Sequence, residues 1–180
     1  LFALRAATLR QGGLFAPVSR EGALILNNLF LATAVGAILV GTLYPLLLDA
    51  LTGTAISVGA PFFNLTFGAL MAPLLLVLPF GPLLAWKRAD IVNAAQRLLG
   101  AAALTLFVTI LVSALGGVSI SLAPLGLLLG FWVAFGAVAE LVDRSKLGRI
   151  PLSESLRRLI GLPRTAWSTA IAHFGVGVTV

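Results

Sequence analysis

The chain has 180 residues, 59% of them hydrophobic and 10% charged, where soluble domains average about 45–50% apolar and about 25% charged. A mean hydropathy of +1.09 excludes a bare soluble domain, because the long uncharged runs meet the ~20 apolar residues that a helix needs to cross ~30 Å of hydrocarbon. Twelve Lys and Arg against six Asp and Glu give a net charge of +6, and the lack of Cys excludes disulfides, Cys-type zinc clusters and a CxxCH haem attachment within these residues.

In chain order, residues 1–22 form a basic segment with Arg5, Arg10 and Arg20, broken by Gln11-Gly12-Gly13 and Pro17. Leu1 to Leu9 reads as the tail of an earlier span or a surface helix, and not as a signal peptide, since no n-region, short apolar region and small-residue cleavage site follow one another there. A first residue that is not Met and an apolar run cut at Val180 read as a fragment of a longer chain.

Residues 23–142 predict four membrane helices arranged as two hairpins. Between Arg20 and Lys87 the only charges are Glu21 and Asp49, a length suited to two crossings, about Ala23 to Leu48 and about Phe62 to Leu84. Gly53, Gly59 and Pro61 punctuate the loop between them. From Leu98 to Val142 only Glu140 is charged, and Gly116-Gly117-Val118-Ser119 divides this run into Leu98 to Leu115 and about Leu122 to Val142. Residues 143–165 predict an amphipathic segment at the inner surface: Leu152, Leu156, Leu159 and Ile160 recur at helical spacing with Arg157 and Arg158 opposite, and Ser153 after Pro151 is a candidate cap. Residues 166–180 open a fifth span. The fold class is therefore all-α, a polytopic transmembrane protein with about five spans in this stretch.

Lys and Arg fall in three clusters that five alternating spans put on one side, while the loops at about Asp49 to Pro61 and Gly116 to Ser121 contain none. By the positive-inside rule the basic side is cytoplasmic. Charge of this kind is explained by a lipid-facing rim, so no nucleic-acid partner is called for.

Soluble enzyme classes find no support, since there is no GxSxG, Walker loop, paired carboxylates or His and acid cluster. Gly126 and Gly130 form a GxxxG that suits close helix packing. Asn27 and Asn28 suit hydrogen bonds across helices, with a direct ligand role as the alternative; Glu140 suits an i,i+4 pair with Arg144 or a reach to the interface, with a proton relay as the alternative; Trp86 and Trp167 suit interfacial anchoring. Trp132 carries no assignment.

His173 stands apart as the only histidine, about eight residues into the fifth span and so ~12 Å deep at ~1.5 Å per residue. An ionisable group at that depth is a candidate site. Ala166, Thr169, Ala170 and Gly177 lie at i−7, i−4, i−3 and i+4, a stripe of small side chains along which a flat macrocycle could approach, with Thr169 or its carbonyl orienting the imidazole. Spacing leaves three readings open: ligation of haem iron, a proton relay, and close packing with one interhelical hydrogen bond.

Several strings, in order, carry a resemblance. Pro17-Val18-Ser19-Arg20-Glu21-Gly22-Ala23-Leu24 with Asn27-Asn28, Gly41-Thr42-Leu43-Tyr44-Pro45, Ser57-Val58-Gly59-Ala60-Pro61-Phe62-Phe63-Asn64, Met71-Ala72-Pro73 and Gly81-Pro82-Leu83 resemble the haem lyase subunit of the bacterial cytochrome c maturation system, the CcmF/NrfE family, over nearly the whole chain and corresponding to the C-terminal half of that longer protein. The resemblance implies an inner-membrane assembly enzyme that takes haem from a haem chaperone on the periplasmic side and joins it to apocytochrome c, working with other maturation subunits. It also implies an intramembrane haem b, with electrons from quinol. Ala172-His173-Phe174-Gly175 fits the family's Ala-His-x-Gly context, which makes His173 an axial ligand of haem b, with Thr169, Ala170 and Gly177 as the haem-facing stripe. With that function, the loop from Asp49 to Pro61 is expected on the face where haem is delivered, with Ser57 to Phe62 as its functional portion and Phe62 with Phe63 packing at the interface or against a porphyrin edge. The family's Trp-rich haem segment and other histidines are absent from these residues, so the fragment alone is not expected to ligate haem to anything. The competing reading is a transporter or structural membrane subunit with no haem.

Overall fold

The computed structural model describes residues 16–117 and 122–180; the expectations for Leu1 to Leu9, Arg5, Arg10, Gln11 to Gly13 and the turn residues Val118 to Ser121 lie outside them. The described residues form six α-helices and no strand: α1 Arg20–Thr52, α2 Ala60–Val77 continued by a 3₁₀ helix Leu78–Leu83, α3 Ile91–Leu115, α4 Ala123–Ser145, α5 Leu152–Ile160 and α6 Arg164–Thr179. Four helical stretches are long and apolar enough to cross a membrane: α1, α2 with its 3₁₀ extension, α3 and α4. The all-α polytopic class is as the sequence predicts, with α6 as a further apolar helix of 16 residues.

Helix starts follow capping chemistry. Ser19, fully buried, caps α1 by accepting from the Gly22 N–H at 3.0 Å, which satisfies one of the orphan donors of the first turn. Asp90 caps α3 by accepting from Val92 and Asn93, so this helix begins seven residues before the predicted Leu98 and carries Arg97 inside it. At α5 the cap position is Pro151, with no side-chain cap bond; Ser153 sits inside the first turn and does not cap it.

The second span departs from a plain helix at its end. Pro79 and Pro82 have no N–H to give to an α-helical ladder, and the winding tightens to a 3₁₀ helix over Leu78–Leu83. Pro79 packs against Gly136 of α4, where a Cβ would meet the proline ring at 2.5 Å. The indole Nε1 of Trp132 donates to the Leu76 carbonyl at 2.8 Å, giving this buried tryptophan a directional bond between α4 and α2. Leu75, Leu98, Leu129, Trp132 and Val133 form the buried apolar core around it.

Two of the strings quoted above touch. A Cβ on Gly41 would lie 2.6 Å from the Phe62 ring and 3.1 Å from that of Phe63, and the two rings meet edge-on at 5.3 Å. Phe62 and Phe63 thus line the crossing of α1 and α2, and Phe62 keeps 38% of its surface exposed.

The basic ends gather. Ahead of α1 the backbone is tied to the α2–α3 connection by Ala16 N–H to Lys87 O, Arg20 N–H to Ala85 O, Ala89 N–H to Val18 O, and the Lys87 N–H donating to Glu21 Oε2. Asp143 near the end of α4 binds Arg97 of α3 at 2.9 Å and Arg149 at 3.5 Å. The starts of α1 and α3 and the end of α4 therefore share one end of the bundle, the end where the cations cluster.

Candidate functional site

α6 runs along α4, and the contact is made by the smallest residues on each helix. A Cβ on Gly177 would come within 2.6 Å of the Gly130 carbonyl oxygen and 2.7 Å of the Ala134 nitrogen; one on Gly130 would meet the Gly177 carbonyl at 2.8 Å. Ala166 and Ala170 are buried in the same seam, Ala170 at 2% exposure. The GxxxG of α4 thus serves the close packing its spacing suggests.

This placement divides the predicted stripe. At 100° per residue, set by ~3.6 residues per turn, Ala170 and Gly177 stand roughly 60° and 40° to one side of His173, and Thr169 roughly 40° to the other. The first pair goes into the α4 seam and presents no face to a cofactor. Thr169 and His173 line a cleft of about 220 Å³ whose opposite wall is the start of α1 and whose floor is the end of α2 with the 3₁₀ helix. Leu24, Leu74, Val77, Leu78 and Pro82 make its walls apolar, and Arg20 and Asn27 bring the other polar groups.

Each polar group has a position fixed by its helix. His173 is half-buried, nine residues past Arg164 where α6 starts, about 14 Å along the axis at ~1.5 Å per residue. The Thr169 hydroxyl donates back to the Thr165 carbonyl at 2.9 Å, so its oxygen retains only acceptor capacity toward the cleft. Asn27 makes a long contact of 3.4 Å from Nδ2 to Oδ1 of its neighbour Asn28, and Asn28 is exposed. The expected bonds across helices are not made by this pair. Asn27 lines the cleft instead, and sequence spacing gave no sign that it and His173 share one.

Glu140 forms the i,i+4 pair with Arg144, 2.8 Å between carboxylate and guanidinium, but it does not reach the interface, being 1% exposed. Its Oε1 takes both Arg144 contacts and its Oε2 has no partner among the described residues. Trp86 lies exposed beneath the Arg20 guanidinium, 5.0 Å from carbon to ring centroid.

For a haem group the donors fit in kind: one imidazole, apolar walls and a cation at the rim. The volume is below the ~300–1,000 Å³ of pockets that enclose a ligand, so a macrocycle would place no more than one edge in the cleft. No three His, Cys, Asp or Glu side chains group together among the described residues, and His173 would be the single iron donor supplied here.

No family model and no solved structure matches the chain. Curated proteins do. A cytochrome c-type biogenesis protein CycK of Rhizobium meliloti is 59% identical over 181 residues, covering 100% of this chain and 27% of its own length. The CycK protein of Bradyrhizobium diazoefficiens is 54% identical, also over 100% of the chain and 27% of its own length. The cytochrome c-type biogenesis protein CcmF of Escherichia coli is 34% identical over 100% of the chain and 26% of its own. The chain belongs to the CycK/CcmF/NrfE family of cytochrome c-type biogenesis proteins. It spans about a quarter of the length of the curated relatives it matches. In this chain the Pro17 to Leu24 string is the strap and cap that enter α1, and the Gly41 and Pro61-Phe62-Phe63 strings are two sides of one helix crossing.

Proposed function

We propose that this chain is part of a cytochrome c haem lyase of the bacterial inner membrane, contributing membrane helices and, through His173, one axial ligand of an intramembrane haem b. The observation that carries the ligand role is the division of α6: its small residues go into the seam with α4, while the chain's only imidazole lines an apolar cleft with an arginine at its rim. Imidazole is a common axial ligand of haem iron. The printed names of the relatives support the maturation role.

In this reading the haem supplies the one-electron chemistry that keeps substrate haem reduced, with electrons from quinol. The residues of this chain hold and orient. α4 fixes the rotation of α6 through Gly130 and Gly177, which points His173 into the cleft. Leu24, Leu74, Val77 and Leu78 exclude water from the imidazole's surroundings. The basic end is cytoplasmic, so the opposite loop, residues 53–59, faces the periplasm, where a haem chaperone and apocytochrome c meet the other maturation subunits.

The test is the reduced-minus-oxidised haem b spectrum of the intact protein in detergent. His173→Ala should remove or shift it and stop cytochrome c maturation while membrane insertion persists, and His173→Gly with added imidazole should restore part of it. A wild-type spectrum from His173→Ala overturns the ligand role and leaves a structural membrane subunit as the better reading.

A further inference from the structure

The cleft has a second chemical end. We propose that Arg20 is an anion-binding residue of this cleft, pairing with a carboxylate of the ligand whose apolar body lies against α1, α2 and α6. For haem b that group is a propionate, and to that extent the inference rests on the ligand role of His173.

Four observations carry it. Arg20 lines the cleft together with His173. No carboxylate lies within ion-pair distance of it among the described residues, whereas Arg97, Arg144, Arg149 and Arg158 each have one; the neighbouring Glu21 turns its carboxylate to the Lys87 N–H. Its guanidinium is held over the Trp86 ring and its backbone N–H is bonded to the Ala85 carbonyl at 3.0 Å, so the side chain starts from a fixed root. Finally, it opens α1 at the basic end, while His173 lies about 14 Å along α6 from that helix's own start.

A small hydrated anion gains nothing from walls of Leu24, Leu74 and Val77. A flat apolar body with a carboxylate on one edge uses both parts. Guanidinium is suited to it, since its planar fork gives a carboxylate two parallel N–H bonds, stacks on an aromatic ring and is more weakly hydrated than an ammonium group. The same fork would also take a lipid phosphate, and the experiment must separate the two sources.

The intact protein, purified in detergent, is stripped of haem and reconstituted either with haem b or with its dimethyl ester, in wild-type, Arg20→Gln and Arg20→Lys forms. With haem b, Arg20→Gln should lower retention several-fold and move the midpoint potential negative, because a positive charge beside the porphyrin favours the added electron. Arg20→Lys should restore part of both. With the dimethyl ester, which has no carboxylate to pair, wild-type and Arg20→Gln protein should retain the haem equally well. An equal loss of retention in Arg20→Gln with both haems overturns the proposal in favour of lipid phosphate or a folding role, and no loss of retention with either overturns it outright. The haem and ester are compared within each variant, so a general loss of fold cancels. Loss of the His173 reading would appear separately, as an unchanged spectrum in His173→Ala.

Discussion

Gly130 and Gly177 face each other across the α4–α6 seam so closely that a methyl group built on either would come within 3 Å of the other's carbonyl oxygen. Gly177→Leu should therefore act by parting the helices, and not by blocking a cofactor's approach. Overpacking of this kind costs about 1–3 kcal/mol, and more where the obstacle is backbone. Thermal unfolding of the intact protein in detergent should show the loss, with Gly177→Ala intermediate; an unchanged midpoint for Gly177→Leu would mean that the seam is not closed in this way.

Glu140 and Arg144 give a second prediction. Arg144→Ala strands a carboxylate that is 1% exposed, and breaking a buried pair costs about 3–5 kcal/mol. Arg144 is itself about a third exposed, which points to the lower end. Glu140→Met combined with Arg144→Ala should recover most of the loss, as no buried charge then remains. If the double variant unfolds as early as the single one, the pair matters for something other than charge compensation.

Ser19 is predicted to hold the entrance of α1. Ser19→Ala leaves the Gly22 N–H without its acceptor and should cost about 1 kcal/mol, while Ser19→Asp or Ser19→Asn, good caps in exposed helices, should do worse at a site this buried than Ser19→Thr. Protease sensitivity between Pro17 and Gly22 in membrane vesicles reports the loosening; resistance equal to wild type in Ser19→Ala would place the cap's contribution below detection.

Sidedness is open to direct measurement. A reporter active only in the cytoplasm should work after Arg158, and one active only in the periplasm should work between Thr52 and Thr54. The reverse pattern would invert the whole assignment of loops to sides.

The elements were legible from apolar length, whereas the caps were not: Ser153 reads as one and sits inside α5, while Ser19 and Asp90 do not stand out in the sequence. The charge-free runs marked all four long helices, and Gly126 and Gly130 announced a seam. What a single helix cannot reveal is which side of a residue its neighbour occupies. Ala170, Gly177 and Thr169 all lie within about a sixth of a turn of His173, and spacing alone gave them one face. Only the position of α4 splits them. In the same way the apolar run placed the end of the second span near Leu84, but not the tightening to a 3₁₀ helix over Leu78–Leu83 or its setting against Gly136. Arg20 and Asn27, 146 or more residues from His173 in the sequence, could be joined to it by tertiary structure alone.

The two sides of the cleft belong to different packing units. Arg20 rides on α1, which rests on α2 through Gly41 and the phenylalanine pair; His173 rides on α6, which rests on α4 through the glycine seam. The units are joined where Pro79 sits in the notch at Gly136 and Trp132 reaches the Leu76 carbonyl. The cleft thus lies between the two units, and a molecule held by Arg20 on one side and His173 on the other would tie α1 to α6 as a direct bond between these helices would.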